Sequence, residues 1–387
     1  MSVTAAQGFV AAGIAAGIKA SGAPDLSLVA TADGRPVPSA GVFTRNKMTA
    51  APVITTRAHL EATGGHSVAV VLNSGNANAA TGDAGLAHAR TMCAAVAAEL
   101  SIEPEQVLVC STGLIGIPMP IATIEAGIPG VVAALSYDGG EAAATAIMTT
   151  DTHAKLVVIE GDGFTVGGMA KGAAMLSPNM ATMLAVLTTD AEATPEQLKA
   201  ALVAGVADSF NVLDVDGCTS TNDTVLLFAS GLAGPVDQHV LESSVAAACR
   251  SLAEQMCGDA EGATKVVRFT VTGAADDAQA LIGARYVSRS NLVKCSWYGC
   301  DPYWGRIASD LGSCGIDFDP ATFSVSYGGV TVCQGAIDAD HDDTAVAAHM
   351  AGRHLEIVAD LGLGSGRATI LTNDLSHAYI DENMGTS

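Results

Sequence analysis

The sequence predicts a mixed α/β protein, and three observations carry that reading. Two β-branched apolar runs, His66–Leu72 and Val107–Val109, each pass through a glycine-bearing loop into a helical pattern. Alternating runs, the mark of half-buried strands, recur from Ala154 to Thr372. Hydrophobic residues make up 49% of the 387-residue chain and charged residues 15%, a balance suited to a large buried core.

Phe9–Ile18 is as apolar as the core of a secretion signal, but no basic residue precedes it and it is too short to span a bilayer. It is expected inside the mature fold. The strand His66–Leu72 ends in the turn-rich loop Asn73–Asn78, and a helix follows because Leu86, Ala89, Cys93, Val96 and Leu100 alternate spacings of three and four. The same plan repeats from Val107–Val109 through Ser111–Gly116 into an Ala/Ile-rich stretch ending near Leu135. Ala154–Val166 reads as two strands joined at Gly161-Asp162-Gly163, and Met183–Thr188 as a buried strand. Thr194-Pro195-Glu196-Gln197 is a helix start, with threonine as N-cap, proline at the first helical position and Gln197 completing a capping box. Strands are expected again in Lys265–Thr272, Thr322–Val332 and Arg367–Thr372. No internal repeat or low-complexity linker marks a domain boundary.

A formal net charge of −22 and the lack of any Lys/Arg cluster argue against a nucleic-acid partner. No apolar run is long enough for a membrane helix. Nine cysteines lie singly, with no C-x-x-C pair and an odd total, which fits reduced thiols in the cytoplasm. Three patterns mimic function. Gly362–Gly366 has the glycines of a dinucleotide loop but leads into a strand instead of a helix. Asp338, Asp340, His341, Asp342 and Asp343 read as a solvated acidic loop, and Cys295 and Cys300 lack the partners of a zinc site. Neither a metal nor an organic cofactor is expected.

The chemistry centres on Lys171-Gly172-Ala173-Ala174-Met175-Leu176-Ser177-Pro178-Asn179-Met180-Ala181-Thr182-Met183-Leu184. The Ser177-Pro178-Asn179 turn delivers Ala181 and then Thr182 to the mouth of a buried strand. A threonine hydroxyl there can attack the preceding carbonyl and shift the acyl group from N to O, after which water completes the cut. The freed α-amino group has a reference pKa of about 7.7–8 and would serve as the residue's own general base. These residues alone fit better a plain turn before a core strand, its threonine capping a backbone group.

The segment resembles the processing site of the ornithine acetyltransferases, also called glutamate N-acetyltransferases, of arginine biosynthesis. Other blocks of that family recur in order: Gly41–Asn46, Asn73–Gly82, Ser111–Gly116, Ile147–Thr152, Asp214–Thr224, Gly258–Lys265, Asp301–Arg306 and Asp374–Ser376. The resemblance implies a layered α-β-β-α sandwich of the N-terminal-nucleophile type. It implies a cut between Ala181 and Thr182 that leaves an α chain, 1–181, and a β chain, 182–387. It further implies Thr182 as nucleophile, Thr112 and Gly113 as oxyanion hole, and Thr149, Lys171, Thr182, Glu261, Asn383 and Ser387 around the substrate. Thr386 is the other candidate for the C-terminal hydroxyl.

The implied reaction moves an acetyl group from N-acetylornithine to glutamate, and some members of the family also accept acetyl-CoA. The implied assembly is α2β2. An amidohydrolase or aminopeptidase of the same fold, or an uncleaved amino-acid-binding relative, would share these residues. Two positions depart from the family pattern: Ala174 and Tyr303 stand where glycine and asparagine are expected. If position 174 required a positive φ, alanine would strain the loop before the cut.

Overall fold

The computed structural model describes residues 2–175 and 183–385, which form two compact units. The first comprises the chain up to Asn211 together with Cys218–Met256; the second comprises Val212–Gly217 and the chain from Cys257 onward.

In chain order the first unit contains β1 (Phe9–Ile14), β2 (Leu26–Thr31), β3 (Val37–Phe43), α1 (Ala51–Ala62), β4 (His66–Ser67), β5 (Ala69–Asn73), α2 (Gly82–Leu100) and β6 (Val107–Ser111). It continues with α3 (Ile121–Ala133), α4 (Gly140–Ala146), β7 (Lys155–Glu160), β8 (Thr165–Lys171), β9 (Leu184–Glu192), α5 (Pro195–Ala207), β10 (Thr224–Pro235) and α6 (Gln238–Gly258). The strands make two sheets, ordered β1-β2-β5-β6 and β4-β3-β10-β9-β8-β7.

Alternation along the strands builds the layers. Leu28, Val71 and Val109 face Met92, Val96, Ile124 and Ile128 of α2 and α3, while Val29, Val70, Leu72 and Leu108 meet Met169, Val186, Leu226 and Phe228 of the second sheet. On that sheet's outer face α5 packs on β3 and β10, and Leu252 of α6 covers Gly168. The first unit is therefore the expected α-β-β-α sandwich. Edge strand β6 is closed by α1, where Thr56 Oγ1 bonds Val109 O (2.7 Å) and Val109 N (2.9 Å) and His59 Nδ1 lies 2.8 Å from Val107 O.

Several local expectations hold. Phe9–Ile14 is a strand of the core, and Gly161 N donates to Phe164 O (2.8 Å) to close the β7–β8 hairpin, with Gly163 at φ +81°. The Thr194–Gln197 capping box opens α5 with both of its bonds present. Ser101, left-handed at φ +57°, ends α2 after the predicted Leu100.

The second unit is a sheet of six strands ordered β14-β13-β12-β15-β11-β16. They are β11 (Val266–Ala274), β12 (Ser324–Tyr327), β13 (Val330–Gln334), β14 (Ile337–Asp338), β15 (His354–Asp360) and β16 (Gly366–Asn373). Its helices are α7 (Asp277–Ser288), α8 (Asn291–Tyr298), α9 (Gly305–Ser313), α10 (Asp343–Ala351) and α11 (His377–Glu382). Thr322–Val332 is a hairpin, not one strand, because Gly328 and Gly329 take positive φ (+57° and +82°) in the turn. β16 follows Gly362–Gly366, as expected, and in the acidic loop Asp342 is the N-cap of α10. No helix among the described residues is long and apolar enough to cross a membrane.

Candidate functional site

Two adjacent strand ends build the candidate oxyanion loop. β5 and β6 run parallel, and their last paired residues, Asn73 and Ser111, release two loops side by side. Asn73 O accepts from Thr112 N (3.0 Å), Asn73 Nδ2 donates to Asn76 O (2.9 Å), and Asn76 Nδ2 donates to Pro118 O (3.0 Å). Buried Asn222 ties both loops together, donating to Ala77 O (2.6 Å) and Ser111 O (2.8 Å). Buried amides of this kind are costly to unpair, so the loops are rigid.

Gly113 sits where they touch. Its φ is +129°, and a Cβ there would lie 2.4 Å from Gly75 C and 2.5 Å from Asn76 N. Only glycine fits. The Gly113 N–H has no backbone acceptor among the described residues, whereas that of Thr112 is engaged by Asn73. Thr112 thus offers its hydroxyl, and Gly113 its backbone.

Lys171 closes β8 with its ammonium buried beside that loop. Nζ donates to Thr149 Oγ1 (2.7 Å) and to Thr112 Oγ1 (3.3 Å). An ammonium cannot accept, so the Thr112 hydroxyl proton is directed elsewhere and remains available to a ligand. Asp151 stands behind these groups. Its carboxylate accepts from Lys155 Nζ (2.5 Å), Gly172 N (2.7 Å) and Thr149 N (2.9 Å), with Lys171 Nζ at 4.0 Å. Burial acts to raise the Asp151 pKa, but Lys171 and Lys155 outweigh it and hold the group down at about 2.

A second buried carboxyl, Asp223, takes the N–H of Met183 at 2.8 Å. Burial pushes its pKa well above the usual carboxylate range, against the opposing pull of the Met183 N–H, Ser220, Lys171 and Thr44. Its Oδ2 is buried with no hydrogen-bond partner among the described residues. Neither Asp151 nor Asp223 was singled out from the sequence, although each lies in one of the ordered blocks. A carboxylate two residues after Thr149, and another beside Asn222, were the available signals.

In the second unit, Glu261 is buried and accepts from Asn383 Nδ2 at 2.7 Å. Asn383 follows α11 and also donates to Tyr379 O (2.8 Å), so it is anchored and not frayed. Gly262, at φ +64°, lets the Glu261 loop approach α11 so closely that a Cβ would lie 2.4 Å from Tyr379 N. Asp374 pins the same loop by accepting from Thr264 N and Lys265 N, both at 2.9 Å.

The structure therefore gathers Thr112, Thr149 and Lys171 in the first unit, with Gly113 next in the loop, and pairs Glu261 with Asn383 in the second. Ala181, Thr182, Thr386 and Ser387 lie outside the described residues, as does the Ser177-Pro178-Asn179 turn. The strain anticipated at Ala174 is absent, because its φ is not positive; among the described residues of that loop the left-handed one is Met175 (φ +53°). No group of three His, Cys, Asp or Glu side chains among the described residues is placed to hold a metal.

Residues 10–385 match the model of the ArgJ family. The chain is similar over its whole length to proteins named arginine biosynthesis bifunctional protein ArgJ. The one from Mycobacterium leprae is 48% identical, with 95% of that protein covered, and the one from Streptomyces avermitilis is 47% identical, with all of it covered. Among solved structures it is similar to ornithine acetyltransferase complexed with ornithine from Mycobacterium tuberculosis. That likeness has 49% identity and a TM-score of 0.44 over 46% of this chain and 95% of that one. With the family model spanning nearly the entire sequence and relatives near half identity end to end, the chain belongs to the ArgJ family.

Proposed function

We propose that this chain is a self-cleaving acetyltransferase of arginine biosynthesis, moving the acetyl group of N-acetylornithine to glutamate through an acetyl-threonine. The arrangement of Thr112, Gly113 and Lys171 carries the reading: a hydroxyl and a backbone N–H, both available as donors, with a cation behind the hydroxyl. Leu184, two positions after Thr182 in the sequence, pairs with Lys171 across the β8–β9 ladder.

Cleavage comes first and frees the Thr182 amine. That amine takes the hydroxyl proton as the oxygen attacks the acetyl carbonyl, and the oxyanion is held by the Thr112 hydroxyl and the Gly113 N–H. The tetrahedral species collapses when the same amine, now an ammonium, returns its proton to the departing nitrogen of ornithine. Glutamate's amine then attacks the acetyl-threonine through the mirrored steps, and acetyl-CoA would enter as an alternative acyl donor. Lys171 suits a substrate carboxylate, and the Glu261–Asn383 pair suits an ammonium. The two chains, paired as α2β2, would work in the cytoplasm.

Incubation with N-acetylornithine, with and without glutamate, tests the reading. Transfer gives ornithine and N-acetylglutamate in equal amounts only when glutamate is present. Equal ornithine release in both, without N-acetylglutamate, makes the enzyme a hydrolase and overturns it.

A further inference from the structure

Asp151 has no part in the chemistry set out above, yet the candidate site is built around it. Its side chain and that of Lys155 are fully buried, and its two oxygens receive the main chain of Thr149, the main chain of Gly172 next to Lys171, and the Lys155 ammonium. The titratable groups around Lys171 are Asp151, Lys19 and Asp223, with Lys155 on Asp151 and Asp25 beside Lys19. Burial raises the Asp223 pKa and so weakens it as a counter-charge, and Lys19 is held by Met148 O (2.7 Å) and Pro24 O (2.9 Å). Three lysines thus crowd around two carboxylates, and Asp151 is the one that touches both Lys155 and Lys171.

The direction of the Lys171–Thr112 hydrogen bond depends on this balance. As an ammonium, Lys171 can only donate, which leaves the Thr112 proton for a developing oxyanion. As a neutral amine it carries a lone pair that accepts that same proton and removes the donor. The geometry points to Asp151 as a positioning residue for the oxyanion hole: by offsetting Lys155 it keeps Lys171 charged, and so keeps the Thr112 hydroxyl turned toward the reacting carbonyl. This assignment rests on the acyl-transfer reading.

The test is the pH–rate profile of Asp151→Asn, which keeps the shape and removes the charge. With two adjacent cations and no carboxylate between them, Lys171 loses its proton about one to three pH units earlier than in the wild type. Activity near the wild-type level at pH 6.5 is expected to fall on one ionisation as pH rises through the lowered pKa, toward a limit of about 100-fold once the donor is fully lost. Asp151→Asn/Lys155→Met removes the competing cation and restores the wild-type profile. Asp151→Glu retains the charge and keeps that profile even at a reduced rate.

A rate lowered by one common factor at every pH, an unrescued double variant, or the same falling limb in Asp151→Glu overturns the assignment. A wild type without glutamate-dependent transfer fails the functional reading instead. In that case the 15N resonance of Lys171 Nζ, assigned by its loss in Lys171→Arg, is titrated in the uncut Thr182→Ala protein with and without Asp151→Asn. A downward shift supports the assignment, and an unmoved titration overturns it.

Discussion

Replacing Gly113 with alanine sets a demanding test of the oxyanion loop. The new Cβ would lie 2.4 Å from Gly75 C and 2.5 Å from Asn76 N, both backbone atoms, so no side-chain rotation relieves the clash. An ordinary carbon–carbon contact is about 3.5–4.0 Å, so the loops must part by roughly 1 Å. At φ +129° the residue also lies in a region that costs an alanine about 1–3 kcal/mol. The main loss is functional, because the Gly113 N–H moves off the position of the oxyanion. Loss of one such donor costs about 2.7–4 kcal/mol, or about 100- to 1,000-fold in kcat. Steady-state kinetics of acetyl transfer should show that fall in kcat with KM little changed. Gly116→Ala is the control, since Gly116 also has positive φ (+79°) but nothing within 4 Å of its Cβ position. It should lose about 1 kcal/mol of stability and retain kcat. A folded Gly113→Ala protein with kcat within threefold of wild type would refute the oxyanion assignment.

Thr182→Ala should remain a single uncut chain by intact mass and be inactive; two chains in that variant would exclude Thr182 as the cleaving nucleophile. Asn222→Ala leaves Ala77 O and Ser111 O without their buried donor, and should destabilise by about 1–3 kcal/mol in urea titration while lowering kcat. Acid should erode the Asp151 contribution. Because its folded pKa is depressed, that stability is fully present above about pH 4 and is lost as pH falls toward 2. The unfolding free energies of wild type and Asp151→Asn from urea titration, separated by about 2 kcal/mol near neutrality, should converge over that window.

What was legible in the sequence was local. The Thr194 capping box, the Gly161–Gly163 turn and the strand-loop-helix units leading into α2 and α3 depend on residues within a few positions of one another, and the structure contains them, but the run His66–Leu72 read as one strand is split at Val68 into β4 and β5, which join different sheets. α6 was legible too, since Leu241, Val245, Cys249, Leu252 and Met256 are spaced by three and four and are all buried, yet this pattern was passed over. The Gly328-Gly329 turn was likewise visible within a run read as one strand. Long-range pairing was not legible. β3 meets β10 across more than 180 residues (Phe43 with Thr224), and no local period announces that partner. The same holds for the site. Lys171 was identified by resemblance, but its bond to Thr112 spans 59 positions, and the two buried carboxyls gain their roles only from what the fold places beside them.

The order of the second sheet constrains when a cut at Thr182 can occur. β9 and β10 would belong to the downstream product, yet they lie between β3 and β8, which would belong to the upstream one. Scission of the connection between β8 and β9 breaks neither of these strands, but it leaves neither product with this sheet intact. The upstream piece keeps two detached ribbons, β4-β3 and β8-β7, and the downstream piece keeps a bare pair with both long edges open to aggregation. Separately synthesised halves would therefore need each other as templates. Thr112 and Lys171, proposed to line the transfer site, meet only in the folded first unit, so a cut that depended on them would record that the molecule had already folded.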